Sequence, residues 1–428
     1  MSLKHWPRTT LSQRLRLQRS AGKELAAYQL QRLNQLLADI LPANQFYGQK
    51  LGSTSLRLKS LSELSELPYT FKSELIRDDS HHGFARNLTW PLEHYTRLHR
   101  TSGTQGRPLT VLDTPQDWEW WIETWQPVFD LVKLEQTDRV VMAFSFGPFI
   151  GFWSAFEAAL EQRCLVAPAG AMKSLSRLEL IREIGATVVF CTPSYALHLA
   201  EIAEAHSYNL REMPVRALIV AGEPGGSVPE IRKQIEQAWG AKVVDHAGAS
   251  EVGPWGFADP AGRGIYVNEA EFIPEFLSLE TGDPANENEP AELVLTSLGR
   301  YGSPVLRYRT GDLVRPTWSD DQECRFVLLS GGVLGRTDDM LIIRGVNVFP
   351  SSVERILRSF PEIIEYRMIV SKESALDQLK IEIEDRLENP QRVQEELQIR
   401  IGLRVDVQTV PIGSLPRFEG KGKRLVRR

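Results

Sequence analysis

The chain has 428 residues, 42% of them hydrophobic and 25% charged, with a net charge of −5 at neutral pH. This length supports two or three domains around a sizeable core, and the mild acidity argues against a dedicated nucleic-acid binder. The three isolated cysteines, Cys164, Cys191 and Cys324, suggest neither a disulfide framework nor a zinc site, and they fit a reducing, cytoplasmic setting.

Residues 1–23 carry six Lys or Arg and no acid, as a transit peptide does. They lack a small-residue cleavage signal, however, and their apolar period continues into "LAAYQLQRLNQLLADIL". A surface helix over about 11–41 is therefore expected. A polar, irregular segment with Pro68 leads to the run "TSGTQGRP" at 101–108. From there helix and strand alternate. "DWEWWIETWQPVFDLV" reads as a helix and "RVVMAF" as a buried strand. The uncharged stretch 140–156 is too short to span a bilayer and is interrupted by Gly147, Pro148 and Gly151, so it reads as strand, glycine turn and helix start. The helices "SRLELIREIG", "SYALHLAEIAEAH" and "SVPEIRKQIEQAWG" then alternate with the strands "ATVVFCTP", "VRALIVAG" and "AKVVDHAG".

This pattern predicts an α/β fold, a parallel sheet with helices on both faces. Such sheets bind ligands at the carboxyl ends of their strands, which puts "FGPFIG", "AGEPGG" and "HAGASE" on one rim. After Glu271 the strands become short and antiparallel in character ("AELVLTSL", "SPVLRYRTGDLV", "CRFVLLS"). The last ~80 residues read as a small α+β unit ending in a basic tail. The expected organisation is a large N-terminal domain, 1–335, with parallel sheets, flanking helices and a small β-rich subdomain, followed by a mobile C-terminal domain, 336–428.

The chain has no Walker loop, strand-linked G-x-G-x-x-G, zincin motif or nucleophile elbow. Four other clusters carry chemistry. "TSGTQGRP" cannot build a core; it can wrap hydroxyls and backbone N–H groups around an anion, or be a solvated loop. In "GASE", Ser250 and Glu251 end a buried strand, where a carboxylate beside a hydroxyl can hold Mg²⁺; a helix N-cap is the commoner use of such a pair. Asp312 in "YRTGD" suits a vicinal diol such as ribose, or caps a turn. "PRFEGKGKR" holds two glycine-flanked lysines in what would otherwise be a frayed tail.

In this order and spacing the clusters resemble the adenylate-forming superfamily of acyl-CoA synthetases, peptide-synthetase adenylation domains and luciferases, across nearly the whole chain. "GRTDDMLIIRGVNVFPSSVE" resembles its hinge motif. "LPYTFKSELI", "TPSYALHLAE", "IIRGVNVFPSSVE" and "PRFEGK" are similar to phenylacetate–CoA ligases and their relatives. The resemblance implies that Thr101, Ser102, Gly103, Thr104 and Gly106 grip the phosphates of ATP, with Arg107 where a lysine is more usual. It implies an adenine-side turn at Gly222, Glu223 and Pro224. Ala247 and Gly248 stand where the family has a tyrosine, which stacks on adenine, and a glycine. Ser250 and the catalytic Glu251 would organise Mg²⁺, Asp312 would bind ribose, and Arg336 would lie at the ribose–phosphate edge. Lys421, with Lys423 as its rival, would bridge the substrate carboxylate and the nucleotide. Asp338 would be the hinge that brings Gly345 to the thiol tunnel. Phe144, Phe146, Tyr195 and Ala221 are candidate walls of the acid pocket, being aromatic or flat, although such aromatics also build cores. The cysteines that carry zinc in some relatives are missing between Ala249 and Glu280, so no zinc site is expected.

The implied reaction is a two-step ligation using ATP/AMP, Mg²⁺ and CoA. A carboxylate, aryl or arylacetic, attacks the α-phosphate to give an acyl-adenylate and pyrophosphate, and a thiol then displaces AMP. Two alternatives stand beside it. One is transfer to a carrier-protein thiol or an amine; the other is a degenerate, non-catalytic nucleotide or acyl binder, motivated by the missing tyrosine. Neither a nucleic acid nor a membrane is an expected partner, and a homodimer is left open.

Overall fold

The computed structural model describes all residues except 1–5, 21, 77–82, 102–107, 149, 319–322, 340, 344–345, 374–375, 418–423 and 428. The expected 11–41 helix is two helices, α1 (Leu11–Arg19) and α2 (Lys23–Ile40). They divide at Gly22, whose φ of +58° suits glycine and breaks the helical ladder. Two short helices follow, α3 (Gln45–Leu51) and the single turn α4 (Lys72–Leu75). Strands β1 (Arg97–Arg100) and β2 (Thr110–Asp113) pair antiparallel on either side of the 101–108 run. Helix α5 (Pro115–Glu123) starts on a capping box in which Thr114 and Asp117 each satisfy the other's backbone N–H, with proline as its first residue. The predicted 117–132 helix stops at Thr124 and resumes as α6 (Gln126–Val132), because Pro127 has no N–H to continue the ladder.

The alternating segment forms as expected: β3 (Arg139–Met142), α7 (Trp153–Glu161), β4 (Leu165–Pro168), α8 (Ser174–Glu183), β5 (Val188–Cys191), α9 (Pro193–Ala205), β6 (Ala217–Val220), α10 (Pro229–Trp239) and β7 (Lys242–Ala249). The strands lie parallel in the order β4-β3-β5-β6-β7. Side chains alternate between two cores: Val140, Met142, Val188 and Phe190 face one, and Val141, Ala143, Val189 and Cys191 the other. Burial on both faces is why these strands read as unbroken apolar runs.

Strand β7 also pairs antiparallel with β8 (Gly253–Ala258), which pairs with β9 (Gly264–Val267). Then come β10 (Phe272–Ser278), β11 (Ala291–Ser297), β12 (Tyr308–Val314), β13 (Pro316–Thr317), β14 (Leu328–Ser330) and β15 (Gly335–Arg336). The main sheet extends to nine strands, β13-β14-β9-β8-β7-β6-β5-β3-β4, and β10-β11-β12-β15 form a separate antiparallel sheet.

A third core draws on residues from Leu341 onward. It is built from β16 (Leu341–Ile343), β17 (Val346–Val348), α11 (Pro350–Arg358), β18 (Ile363–Glu373), β19 (Leu376–Asp385), α12 (Pro390–Ile401), β20 (Asp406–Thr409) and β21 (Leu425–Arg427). The end of the chain is therefore more than a loose basic tail. β21 lies parallel to β18, and Arg424 donates to both carboxylate oxygens of buried Glu365, at 2.7 and 3.0 Å. Among the described residues, no helix is long and apolar enough to cross a membrane.

Candidate active site

The main sheet's strand order reverses beside β3, since β4 lies on one side of it and β5 on the other. Ligands of open α/β sheets bind at such a point, beyond the strand ends. A cavity of about 170 Å³ opens there, with walls that include Trp121, Trp125, Phe144, Phe152, Ala221 and His246. Phe144 follows β3, Ala221 follows β6, and His246 lies on β7. The two tryptophans come from α5 and the turn into α6. Gly151, at φ +41°, closes the turn against Phe144; a Cβ there would lie 2.8 Å from its Cδ1, so no larger residue fits.

Both indole donors are committed. Trp125 Nε1 donates to Ser154 Oγ at 2.8 Å, and Trp121 Nε1 donates to Asp113 Oδ1 at 3.1 Å. His246 packs on Trp125 with ring centroids 4.0 Å apart and the planes tilted by 36°, and its Nδ1 lies 2.7 Å from the Gly256 carbonyl oxygen. A carbonyl can only accept, so Nδ1 carries a proton. Burial pushes the imidazole down to about 3, so the ring is neutral.

At the mouth, Ser250 and Glu251 form the turn from β7 into β8. Their carbonyls accept from Arg300 Nη1 at 2.9 and 2.8 Å, while Arg300 Nε donates to Asp113 at 2.8 Å. Arg300 and Asp113 are both fully buried. Glu251 Oε1 is 2.7 Å from Lys72 Nζ. Burial holds the Tyr308 phenol well above its usual range, and the charge of the hydrogen-bonded Glu251 adds to the effect. Asp312 pairs with Arg336 at 3.1 Å. Thus Glu251, Lys72, Tyr308, Asp312 and Arg336 form one connected group beside the cavity.

The remaining expected residues are placed as follows. Gly222 lines the cavity at φ +94°. Pro224 is next along this turn, and Glu223 caps α9 by accepting from Ser194 N at 2.7 Å. Gly248 lines the cavity, whereas Ala247 pairs with Gly256 on the other face of β7 from His246. Thr101 closes the neck of the 101–108 run: its N–H donates to the Leu109 carbonyl, and its hydroxyl oxygen accepts from Leu109 N at 3.0 Å.

Two expected wall residues lie elsewhere. Tyr195 is buried between α8 and α9, donating to Ser174 Oγ at 3.1 Å beneath the Arg177 guanidinium, because the first turn of α9 faces α8. Phe146 points away from the cavity and packs edge-on against Trp153 and Phe156 of α7. Ser102, Gly103, Thr104, Gly106, Arg107, Gly345 and Lys421 lie outside the described residues, as does the Asp338 side chain.

Several site residues had no assigned role in the sequence reading. Lys72 sits in "TFKSELI" as the one basic residue of the run. Trp121 and Trp125 belong to the tryptophan-dense "DWEWWIETW". His246 follows Asp245 on β7, and nothing in the strand "KVVDHAGA" marks its ring as a wall of the cavity. Arg300 has no local signal, since its partners are distant in sequence. A wider groove of about 540 Å³, between α9 and the segment around Arg358, is lined by none of the expected site residues.

Residues 345–428 match the family model of the AMP-binding enzyme C-terminal domain. The phenylacetate–coenzyme A ligase of Thermus thermophilus is 30% identical over 428 residues, covering 93% of this chain and 95% of that protein. The Escherichia coli phenylacetate–coenzyme A ligase is 31% identical over 421 residues, 94% of each chain. Among solved structures, 2-hydroxyisobutyryl-CoA ligase in the postadenylation state, with 2-HIB-AMP bound, superposes with a TM-score of 0.90 at 25% identity, covering 100% of this chain and 95% of that one. In the thioesterification state, with 2-HIB-AMP and CoA bound, that ligase gives 0.72 at 26% identity, covering 100% and 94%.

Proposed function

The chain belongs to the phenylacetate–coenzyme A ligase family, and from that premise we propose that it ligates an aryl or arylacetic acid to CoA at the cavity between β3, β6 and β7. It is an AMP-forming ligase. A carboxylate oxygen attacks the α-phosphate of ATP, and pyrophosphate leaves. The CoA sulfur then bonds to the acyl carbon as the bond to AMP breaks, and the thiol proton passes to solvent. A carboxylate is a poor acyl donor until AMP becomes its leaving group, so the protein's task is in-line placement and charge neutralisation.

The observation that carries the aromatic assignment is the wall chemistry: Trp121, Trp125, Phe144 and Phe152 around about 170 Å³, room for one ring. Gly248 and Ser250, at the rim, direct the acid's carboxylate toward Glu251 and Lys72. Lys72 supplies positive charge where the carboxylate and triphosphate meet, and Arg336 supplies it at the nucleotide edge. Asp312, oriented by Arg336, accepts from ribose hydroxyls.

Magnesium fits this donor set only as an ion shared with the nucleotide. Glu251 is one carboxylate already paired with Lys72, and no group of three or more His, Cys, Asp or Glu gathers for a metal among the described residues. Mg²⁺ is commonly held by one or two carboxylates with phosphates and water. Glu251, with Ser250 beside it, would hold it here, and the ion would neutralise triphosphate charge.

We assign the first half-reaction to Lys421 and place the hinge at Asp338, so that residues beyond it turn as a unit to bring Gly345 to the thiol. The test is carboxylate-dependent pyrophosphate release over a panel of benzoic, arylacetic and aliphatic acids, with and without CoA. Release confined to aliphatic acids would refute the aromatic assignment.

A further inference from the structure

Resting on this reading of the cavity, we infer that the acid carries a hydroxyl or amino group on its ring, which donates a hydrogen bond to His246 Nε2. His246 is only 6% exposed. Its Nδ1 proton is spent on the Gly256 carbonyl at 2.7 Å, which leaves Nε2 of the neutral ring with a bare lone pair. A Cβ built on Gly248 would lie 3.4 Å from Nε2, so this atom lies over a residue that lines the cavity, beside Trp125.

The walls around it are mainly indole and phenyl carbon; their hydroxyls are those of Ser154, which accepts from Trp125, and of Ser250 at the rim. The N–H groups of Trp121 and Trp125 already donate to Asp113 and Ser154. No hydrogen bond from another described residue reaches Nε2. An unsubstituted ring would seal this acceptor against carbon, and an unmade hydrogen bond in a dry site is expensive. A ring-borne O–H or N–H satisfies it, whereas a methoxy group, having no proton to give, cannot. Sites built to meet a substrate hydroxyl reject the analogue lacking it far more strongly than apolar pockets reject a lost methylene.

The experiment measures kcat/KM for pyrophosphate release with wild-type enzyme. Phenylacetate and benzoate are compared with their ring-hydroxylated, amino and methoxy derivatives at each position. The best hydroxy or amino acid should exceed both its parent and its methoxy counterpart by about tenfold or more. His246→Leu should then close that gap, lowering turnover of the donor-bearing acid and raising that of the parent. A parent or methoxy acid that equals the best donor-bearing acid in the wild type overturns the inference while leaving the aromatic reading in place. Turnover of aliphatic acids alone overturns both. The wild-type comparison decides the matter even if the variant folds poorly.

Discussion

Asp312 on β12 and Arg336 on β15 are register partners across an antiparallel pair, with Nη1 of the arginine 3.1 Å from the carboxylate. The two residues assigned to ribose and to the phosphate edge are thus already oriented by each other. Directly before Asp312, Gly311 takes a φ of +74°, and a Cβ there would lie 2.7 Å from Arg336 Nη2. Gly311→Ala should therefore do two things. It should lose about 1–2 kcal/mol of stability through left-handed strain, and it should raise KM for ATP by displacing the guanidinium while leaving KM for the acid in place. Denaturant unfolding and steady-state kinetics with each substrate varied check this; an unchanged KM for ATP would refute the link.

Arg300 gives a prediction of a different kind, because it does not line the cavity. It is fully buried, pairs with Asp113 and holds the carbonyls of Ser250 and Glu251. Removing one member of a buried pair costs about 3–5 kcal/mol. Arg300→Met should lower the unfolding midpoint accordingly and cut adenylation by loosening the Glu251 turn. Arg300→Lys should recover little, since one ammonium cannot serve a carboxylate and two carbonyls in the planar fork's geometry. A lysine variant with wild-type stability would show that charge alone is required.

These two sites illustrate what could be read from the residues. Strands β3, β5 and β6 were legible because burial on both faces leaves apolar runs, and two strand-end glycines, Gly222 and Gly248, do line the cavity. The cavity walls were less legible. Phe144 and Phe146 look alike in sequence, and only the direction of the turn after β3 sends one inward and the other onto α7. Trp125 lies on the turn into α6, before the sheet begins, and Arg300 comes from a loop 50 residues after Ser250. Strand β8, "GPWGFA", carries a proline and two glycines and has little strand propensity of its own; pairing with β7 makes it a strand.

His246 also sets a pH signature. Burial pushes its imidazole down from 6.5 to about 3. The unfolded chain takes up a proton near pH 6.5 that the folded chain refuses. Its contribution to stability is therefore complete above that pH and is lost as pH falls below it. His99, pushed down by burial to about 4, acts in the same direction. Asp117 and Asp245, pushed up by burial to about 6, act oppositely, since their protonated forms favour the folded state as pH falls. Comparing wild type with His246→Leu isolates the one group. Their difference in unfolding free energy should move against the wild type on going from pH 7 to pH 4.5, by at most about 1.4 kcal/mol per pH unit. A difference that stays flat with pH would show that His246 is not held neutral.

The half-reactions should separate. One relative matches this chain at TM-score 0.90 in its postadenylation state and at 0.72 in its thioesterification state, so two arrangements exist within that fold. Lys421→Ala should abolish acyl-adenylate formation and spare thioester formation from supplied acyl-adenylate, because its charge serves only the first step. Asp338→Pro should do the reverse, since proline fixes φ near −65° and holds a hinge in one state. Equal loss of both steps in either variant would sink that residue's assignment, and a selective defect in Lys423→Ala would move the first role by two residues.

Ala247, where the resemblance implies a tyrosine, lies on the face of β7 opposite His246. His246 pairs with Phe257 on one face of the β7–β8 ladder, and Ala247 pairs with Gly256 on the other. Strand alternation therefore puts His246 and Trp255 on the opposite face from Ala247, so neither ring packs on the Ala247 side. Ile265 does the packing there: a Cβ built on Gly256 would lie 2.6 Å from Ile265 Cγ2 and 3.2 Å from Ala247 Cβ. Ala247 is only 7% exposed, so the gap is already closed. A tyrosine at 247 must displace this packing, and overpacking of this kind costs about 1–3 kcal/mol. Ala247→Tyr should consequently lower the unfolding midpoint and weaken ATP binding rather than restore a stacking contact. Adding Ile265→Ala should relieve the clash and bring ATP affinity to or above the wild-type value, since the ring then has room to stack. Calorimetric titration of ATP into the wild type and both variants tests the sequence of effects. Tighter binding in Ala247→Tyr alone would show that the space beside Ile265 is open after all.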